Sequence, residues 1–177
     1  MLSYLGVKMV SQEEVLKWLA SDGFSVRIEN VPSLALVDWV LLVEVPSVPR
    51  INVAVQKPKT RDDMMVVGIG VALGPDHKEA FDKLPRTERV AIASQILHDL
   101  LMFCRDCSVI LQPSLDELQF INVSKILYTK NVSRELVSTA VREMANAFAL
   151  IVSILNRELS VRGIELKSKK REDTMVM

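Results

Sequence analysis

The sequence predicts an α+β fold, an antiparallel sheet flanked by helices, in the order α-β-β-β-β-α-α-β-β-α. Three observations predict it. Apolar residues alternate with polar ones over 24–73, they recur at helical spacing over 133–159, and turn-forming residues separate the segments between. The length of 177 residues fits one domain. We place that domain at 9–159 and expect the charged segment 160–177 to be a mobile tail.

The first helix is predicted from its capping signal. Ser11 is followed three residues later by Glu14, so that the hydroxyl and the carboxylate can each satisfy a free amide of the first turn. Apolar residues follow at helical spacing, and Gly23 is expected to end the helix.

The alternating segments after this helix predict an antiparallel meander over 24–73, with Pro-rich or charged turns between the strands. A short helix opens at Pro75, and a longer one with an apolar stripe runs from Thr87 to Cys104. A second hairpin over 108–128 completes the sheet before the last helix.

The last helix, over 133–159, carries more apolar surface than one packed face requires. Beside its first apolar row lies a second, so we expect cover on two sides. The residues of the second row form the predicted dimer interface: Leu136, Ala140, Ala147, Leu150 and Ile154. The alternative is that the preceding helix covers this row within one chain, and periodicity alone does not separate the two.

Composition narrows the classes of partner. Twenty-two basic residues balance twenty-two acidic ones, so the broad positive field of a nucleic-acid binder is not expected. The longest apolar run, 34–45, contains two acidic residues and is too short to span a membrane. No membrane partner is therefore predicted. The first residues lack the pattern of a signal peptide, and we expect a cytoplasmic protein.

Cys104-Arg-Asp-Cys107 is the one motif with reactive side chains. Redox-active pairs of this spacing usually open a helix, whereas this pair follows one, where the helix dipole disfavours a thiolate. We therefore expect a buried, unreactive thiol at Cys104. A local disulfide with Cys107 is the second interpretation and a redox site the third. No metal site is expected, because too few ligands are at hand.

The remaining candidates for chemistry are assigned no role. His98-Asp99 and Asp76-His77 are sequence neighbours whose side chains point apart on a helix. Gly68-Ile-Gly70 lacks the rest of a phosphate-binding pattern, so we expect a close backbone approach or a bulge there, and no cofactor. We predict no catalytic residue.

Particular segments resemble a known family. They are 15–19 at the opening of the domain, 51–55 in a strand, 71–77 where sheet passes into helix, and 118–128 before the last helix. Together they resemble a family of uncharacterised, mainly archaeal proteins related in fold to type III secretion chaperones. The resemblance implies a dimer that holds an extended segment of another protein against its surface.

Three functions remain open at this point. The leading hypothesis is a non-enzymatic, homodimeric protein-binding module, because the last helix carries surplus apolar surface and no catalytic set converges. The alternative is a thiol redox protein that uses Cys104 and Cys107. The third is weak nucleic-acid binding through the basic segment 162–171.

Overall fold

The computed structural model describes residues 10–30, 36–46 and 50–163. The helices and strands follow in this order: α1 Gln12–Ser21, β1 Ser25–Glu29, β2 Val37–Val45, β3 Ile51–Pro58, β4 Met64–Ala72, α2 Pro75–Asp82, α3 Arg86–Phe103, β5 Cys107–Gln112, β6 Phe120–Tyr128 and α4 Arg134–Val161. A single 3₁₀ turn, Thr129–Asn131, joins β6 to α4.

Local signals set the ends of the helices. The Ser11 hydroxyl accepts a hydrogen bond from the amide of Glu14 at 3.2 Å, which caps α1 as the sequence predicts. Gly23 follows α1 with a φ of 84°, a conformation that glycine adopts without strain. Ser133 caps α4 in the same way, accepting from the amide of Leu136 at 3.3 Å.

The strands form one six-stranded antiparallel sheet in the order β1-β2-β3-β4-β6-β5. The first four strands are a meander, and the β5–β6 hairpin joins it through β6 beside β4. A side chain at Gly70 would overlap the ring of Phe120 on the neighbouring strand, so the glycine leaves room for that ring in its present position. The predicted fold class and element order are confirmed.

All the helices that contact the sheet lie on one face of it. α4 packs across β2, β3, β4 and β6, while α1 covers β1 and β2 beside it. α3 packs on α4 and on β5. The alternate residues of the central strands that face this layer are buried, as are the facing residues of α4, and together they form one core. The opposite face of the sheet is left open by the described residues.

The predicted dimer interface on α4 is corrected by this packing. Ala140, Ala147 and Ile154 are buried inside the single chain, with Ala147 fully inaccessible, because α3 and the sheet cover α4 from two sides. Leu150 is partly buried against the core, and only Leu136 is exposed. The intrachain alternative therefore accounts for the three buried residues of the second apolar row and for part of Leu150, but not for Leu136.

α4 is also long and apolar enough, by length and composition, to cross a membrane. Half of its most apolar window is buried within the fold, which is typical of the core helix of a folded domain. α4 extends two residues beyond the predicted domain end at 159. Residues 164–177 of the predicted tail, and Met9, lie outside the described residues.

Candidate functional site

No element among the described residues covers the outer edge of strand β5. Its sequence, Cys-Ser-Val-Ile-Leu-Gln, contains no charged residue and no proline, and among the described strands it pairs only with β6. The outer edge of such a strand presents backbone N–H and C=O groups that are free to pair with another strand. Natural edges are usually blocked by charges, prolines or bulges. β5 therefore carries a candidate interaction site.

The last turn of α3 extends this site with apolar side chains. Leu101, Met102 and Phe103 are consecutive and all exposed, with Met102 accessible over 60% of its surface. Because α3 packs against β5 and ends four residues before it begins, this turn lies at the same edge of the sheet. We call β5 together with residues 101–103 the β5 edge. It combines an open backbone with exposed apolar surface, a combination typical of protein interfaces.

A disulfide joins the two parts of the β5 edge. Cys104, the C-cap of α3, is bonded to Cys107, the first residue of β5, with their Cα atoms 5.4 Å apart. The expected free thiol is thereby corrected. The prediction of a free thiol rested on the helix dipole and on the burial of Cys104. Neither of these opposes a disulfide. The buried position of Cys104 itself is as expected.

Charged groups next to the disulfide come from three separate elements. Lys125 of β6 faces the helix layer and donates to Glu143 of α4 at 2.8 Å, and it lies 3.1 Å from the carboxylate of Asp106 in the disulfide turn. Burial lowers the pKa of Lys125, whereas its bonds to Glu143 and Asp106 raise it, and the net effect is upward. Lys125 thus stays protonated and ties the turn to both layers.

Sequence reasoning missed this charged cluster. Lys125 lies at an inward position of β6, and its neighbours on that face are Ile121, Val123 and Leu127. A lysine in such a position indicates that a charged partner lies nearby. The identity of the partners follows only from the tertiary contacts, since Glu143 is eighteen residues away in sequence.

The disulfide turn also contains the one group of metal-ligand type among the described residues, Cys104, Asp106 and Cys107, whose ligand atoms lie within 4.8 Å of one another. Both sulfurs are engaged in the disulfide, so neither is a thiolate able to bind a metal. Asp106 lies 3.6 Å from the sulfur of Cys104. In this state the group is a covalent link and a carboxylate, and it offers no complete coordination site.

Of the two histidines, one contacts the aspartate next to it in sequence and the other does not. His98 does contact Asp99, at 3.1 Å between Nδ1 and Oδ1, contrary to the expectation that the two side chains diverge. Helix side chains can bend toward each other at the surface, where His98 is exposed. Asp99 has a lowered pKa because it accepts from Gln95 first and from His98 second. His77 bonds to Asn156 at 2.8 Å and not to Asp76.

A second polar cluster fastens α1 to α4. The carboxylate of Asp22 accepts hydrogen bonds from Arg134 and from the buried hydroxyl of Ser138, and its pKa is lowered by Arg134 first and by Ser138 second. Arg142 lies over the ring of Phe24 at 5.3 Å nearby. The polar groups of this cluster form hydrogen bonds with one another, so we interpret the cluster as a structural contact between α1 and α4.

The basic segment 162–171 begins in an ion-pair network. Arg162 donates to Glu88 of α3 at 2.9 Å and to Glu158 of α4 at 2.8 Å. It is therefore committed to the fold and is not available as a phosphate contact. Residues 164–171 lie outside the described residues, and nucleic-acid binding through them stays a prediction.

Comparison with solved structures finds a protein with the same fold. A crystal structure of an uncharacterized protein from Methanothermobacter thermautotrophicus superposes with a TM-score of 0.74 at 19% identity, over 85% of this chain and 99% of that one. E. coli YbjN superposes with a TM-score of 0.49 at 14% identity, over 89% and 97%. The first of these likenesses, at 19% identity, shows a shared fold alone, and nothing is argued from the second. No curated protein sequence matches the chain.

The family model described as "Uncharacterized conserved protein (DUF2299)" matches residues 11–155. That range runs from the cap of α1 to the last turns of α4 and so includes every strand of the sheet. The expected relation to secretion chaperones is not tested by these findings and stays a prediction. The expected likeness of this chain to an archaeal protein is confirmed at the level of the fold. The chain belongs to the DUF2299 family of conserved proteins.

Proposed function

We propose that this protein is a non-enzymatic protein-binding module whose first partner is a second copy of itself, bound through the β5 edge. One observation carries the proposal: an uncharged edge strand lies directly beside three exposed apolar residues of α3. We therefore assign the proposed homodimer contact to a surface that the described residues leave uncovered, and not to the apolar row of α4 that was one interpretation of the sequence.

The backbone of β5 supplies the geometry of the proposed contact. Two copies of β5 related by a two-fold axis would pair antiparallel, so that the two six-stranded sheets become one continuous sheet. Each pairing hydrogen bond adds about 0.5–1.5 kcal/mol net, and the same bonds fix the register. An isologous contact of this kind closes on itself and does not propagate into fibres.

The last turn of α3 supplies the apolar part of the contact. Met102 and Phe103 flank the strand, so in the paired arrangement they approach the corresponding turn of the other copy. Burying apolar surface there stabilises the dimer by about 25 cal/mol per Å². Strand pairing alone rarely holds two domains together, and this second contribution supports a stable dimer.

Light scattering after size-exclusion chromatography tests the proposal. We expect the wild-type protein to have the mass of a dimer or a higher assembly, and Met102→Glu to shift it toward smaller species, because two carboxylates would meet at the interface. Val161→Glu is the matched control, since Val161 is 78% exposed at the end of α4, away from the β5 edge. A wild-type monomer at every concentration, or equal effects of both variants, would overturn the proposal.

Thiol–disulfide exchange is the second candidate function, supported by the disulfide between Cys104 and Cys107. An external dithiol would be oxidised to its disulfide while Cys104 and Cys107 become thiols. The C-terminus of α3 and the carboxylate of Asp106 both disfavour a thiolate here, which argues for a slow reaction. Turnover of a model protein disulfide with dithiothreitol, lost in Cys107→Ser, would favour this candidate. An inert pair in the folded protein would remove it.

A further inference from the structure

We propose that the open face of β3, β4, β6 and β5 is a second interface, on which another copy of this chain packs face to face. We call it the open sheet face. It is distinct from the β5 edge, because it consists of side chains that project from the sheet on the side away from the helices. The proposal is therefore independent of the proposed function.

The open sheet face carries no charge. Lys57 and Lys125 are the charged residues of these four strands, and both point into the helix layer, where each is paired with carboxylates. The outward positions are neutral amides, serines, glycines, alanine and larger apolar residues. By contrast, the adjoining strands β1 and β2 place Arg27, Glu29 and Glu44 on the same side of the sheet.

Large apolar side chains occupy the part of this face nearest β5. Ile110, Ile126 and Tyr128 are all exposed, with Tyr128 accessible over 56% of its surface. Val66 lies directly opposite Ile126 on the neighbouring strand, and the two share the same row across the sheet. The solvated face of an antiparallel sheet is normally polar, and about a quarter to a third of surface residues are charged. The outward positions of these four strands include amides and serines, but none of them is charged.

Absence of charge selects the partner. A nucleic acid or an anionic lipid surface would need cations on this face, and it has none among the described residues. Across a two-fold axis, each surface lies opposite a copy of itself. Charges on such a surface destabilise the contact by like-charge repulsion, unless positive and negative groups are arranged to face each other. A neutral face is complementary to itself. A second copy of this chain is the partner that meets this requirement without any further matching.

The size of the open sheet face corresponds to a small interface, near the lower end of the range for specific contacts. Four strands about 4.8 Å apart and about 27 Å long have a projected area of roughly 500 Å², before side-chain relief is counted. A stable interface buries about 800 Å² of accessible surface per partner. Two such sheets would pack about 10 Å apart with their strands nearly aligned, as in a β-sandwich. Asn122 and Gln56 offer amides that can bond across such a contact.

The test is the mass of the assembly in solution, measured by light scattering over a wide range of concentration. Together with pairing at the β5 edge, the open sheet face would make a closed tetramer, and alone it would make a dimer. We expect Ile126→Lys to halve the wild-type mass. Asn122→Asp is nearly the same size and should act in the same direction. Ala91→Lys, on an exposed position of α3 in the opposite layer, is the matched control.

A mixing experiment separates loss of the contact from loss of the fold. Ile126→Lys and Ile126→Glu should each have the reduced mass, and an equimolar mixture of the two should regain the wild-type mass, because opposite charges then face each other. Circular dichroism checks that each variant is folded. If Ile126→Lys leaves the mass unchanged, or the mixture stays at the reduced mass while both variants are folded, the proposal is wrong.

The two interfaces fail separately. Met102→Glu tests the β5 edge and should leave assembly through the open sheet face intact, whereas Ile126→Lys should do the reverse. A protein that responds only to Met102→Glu would retain the proposed function and lose this inference. One that responds only to Ile126→Lys would retain this inference and lose the β5 edge.

Discussion

The two edges of the sheet differ in how they are protected against pairing. At one edge, β1 carries Arg27 and Glu29 on the same side, joined by an ion pair at 2.8 Å. At the other, the six residues of β5 carry no charge. Both strands are short and both alternate between inward and outward residues, so length and pattern do not explain the contrast.

The difference teaches where contact with another protein is tolerated. A strand that binds a new partner must desolvate its charges, and the Arg27–Glu29 pair would lose its water in doing so. β5 meets no such cost. The last turn of α3 extends the contrast, because it ends beside β5 with three exposed apolar residues.

The strongest way to break the comparison is to give β5 the pattern of β1. Ser108→Arg with Ile110→Glu places the same two charges at the same spacing on the same side of the strand. We expect self-association to weaken by about 100-fold or more, since both the β5 edge and the open sheet face would carry new charges. Sedimentation equilibrium measures the dissociation constant. Unchanged association would show that neither surface is an interface.

Removing the disulfide should be the next largest effect. The Cys104→Ser, Cys107→Ser double variant opens a four-residue loop, and the chain-entropy model gives a loss of about 2 kcal/mol in the free energy of unfolding. Urea denaturation measures it. The wild-type protein in reductant should show the same loss, and the double variant should be insensitive to reductant. Equal stability in all three cases would mean that the disulfide adds nothing to the fold.

The reverse exchange should create an interface where none exists. Arg27→Ser with Glu29→Gln removes the charges from β1 and leaves its apolar Ile28 in place. We expect new association, strengthened by about tenfold relative to the wild-type protein, or about 1.4 kcal/mol. Light scattering as a function of concentration detects it. Lys78→Gln with Asp82→Asn, which removes an ion pair on α2 and so away from the sheet edge, is the control.

The smallest effect, on the free energy of unfolding, is expected when a carboxylate is removed from a lysine that lies on the helix side of the sheet. Lys57 is only 7% exposed, and its pKa is raised first by its bond to Asp62 at 2.8 Å. Asp62→Asn should lower the free energy of unfolding by about 1 kcal/mol or less at neutral pH, because the aspartate itself is largely exposed.

The pH dependence gives the sign of this effect. A raised pKa in the folded state means that the stabilisation is full below the ordinary lysine value of 10.5 and is lost as the pH rises through the folded value. The wild-type protein should therefore lose more stability between pH 9 and pH 12 than Asp62→Asn does, on the order of 1 kcal/mol. Parallel pH curves for the two proteins would contradict the pairing.

Local sequence patterns were sufficient to predict the helices and strands. They were insufficient to predict which surfaces of those elements are covered. Ser11 and Gly23 mark the ends of α1 because capping depends on residues only a few positions apart. The period of the strands depends likewise on near neighbours. The double apolar row of α4, however, fits either a second chain or α3, and its periodicity is the same in both cases. Only the packing of α3 on α4 separates them.

The candidate site was the part least visible in the sequence. Cys104 and Cys107 could be thiols or a disulfide, since spacing fixes neither state. Lys125 and Glu143 meet across two layers, and His77 meets Asn156 across a separation of seventy-nine residues. That β5 lies at the edge of the sheet, and not inside it, follows from β6 inserting beside β4. No property of the β5 segment itself indicates this.

The sequence by itself determined the α+β class and the order of the elements, because these depend on short-range period, capping and turn chemistry. The tertiary structure decided which apolar rows are covered, which strand becomes an edge and which face carries no charge. These depend on contacts between segments distant in the chain. Their free energies come from burial and pairing in three dimensions, which local patterns do not record.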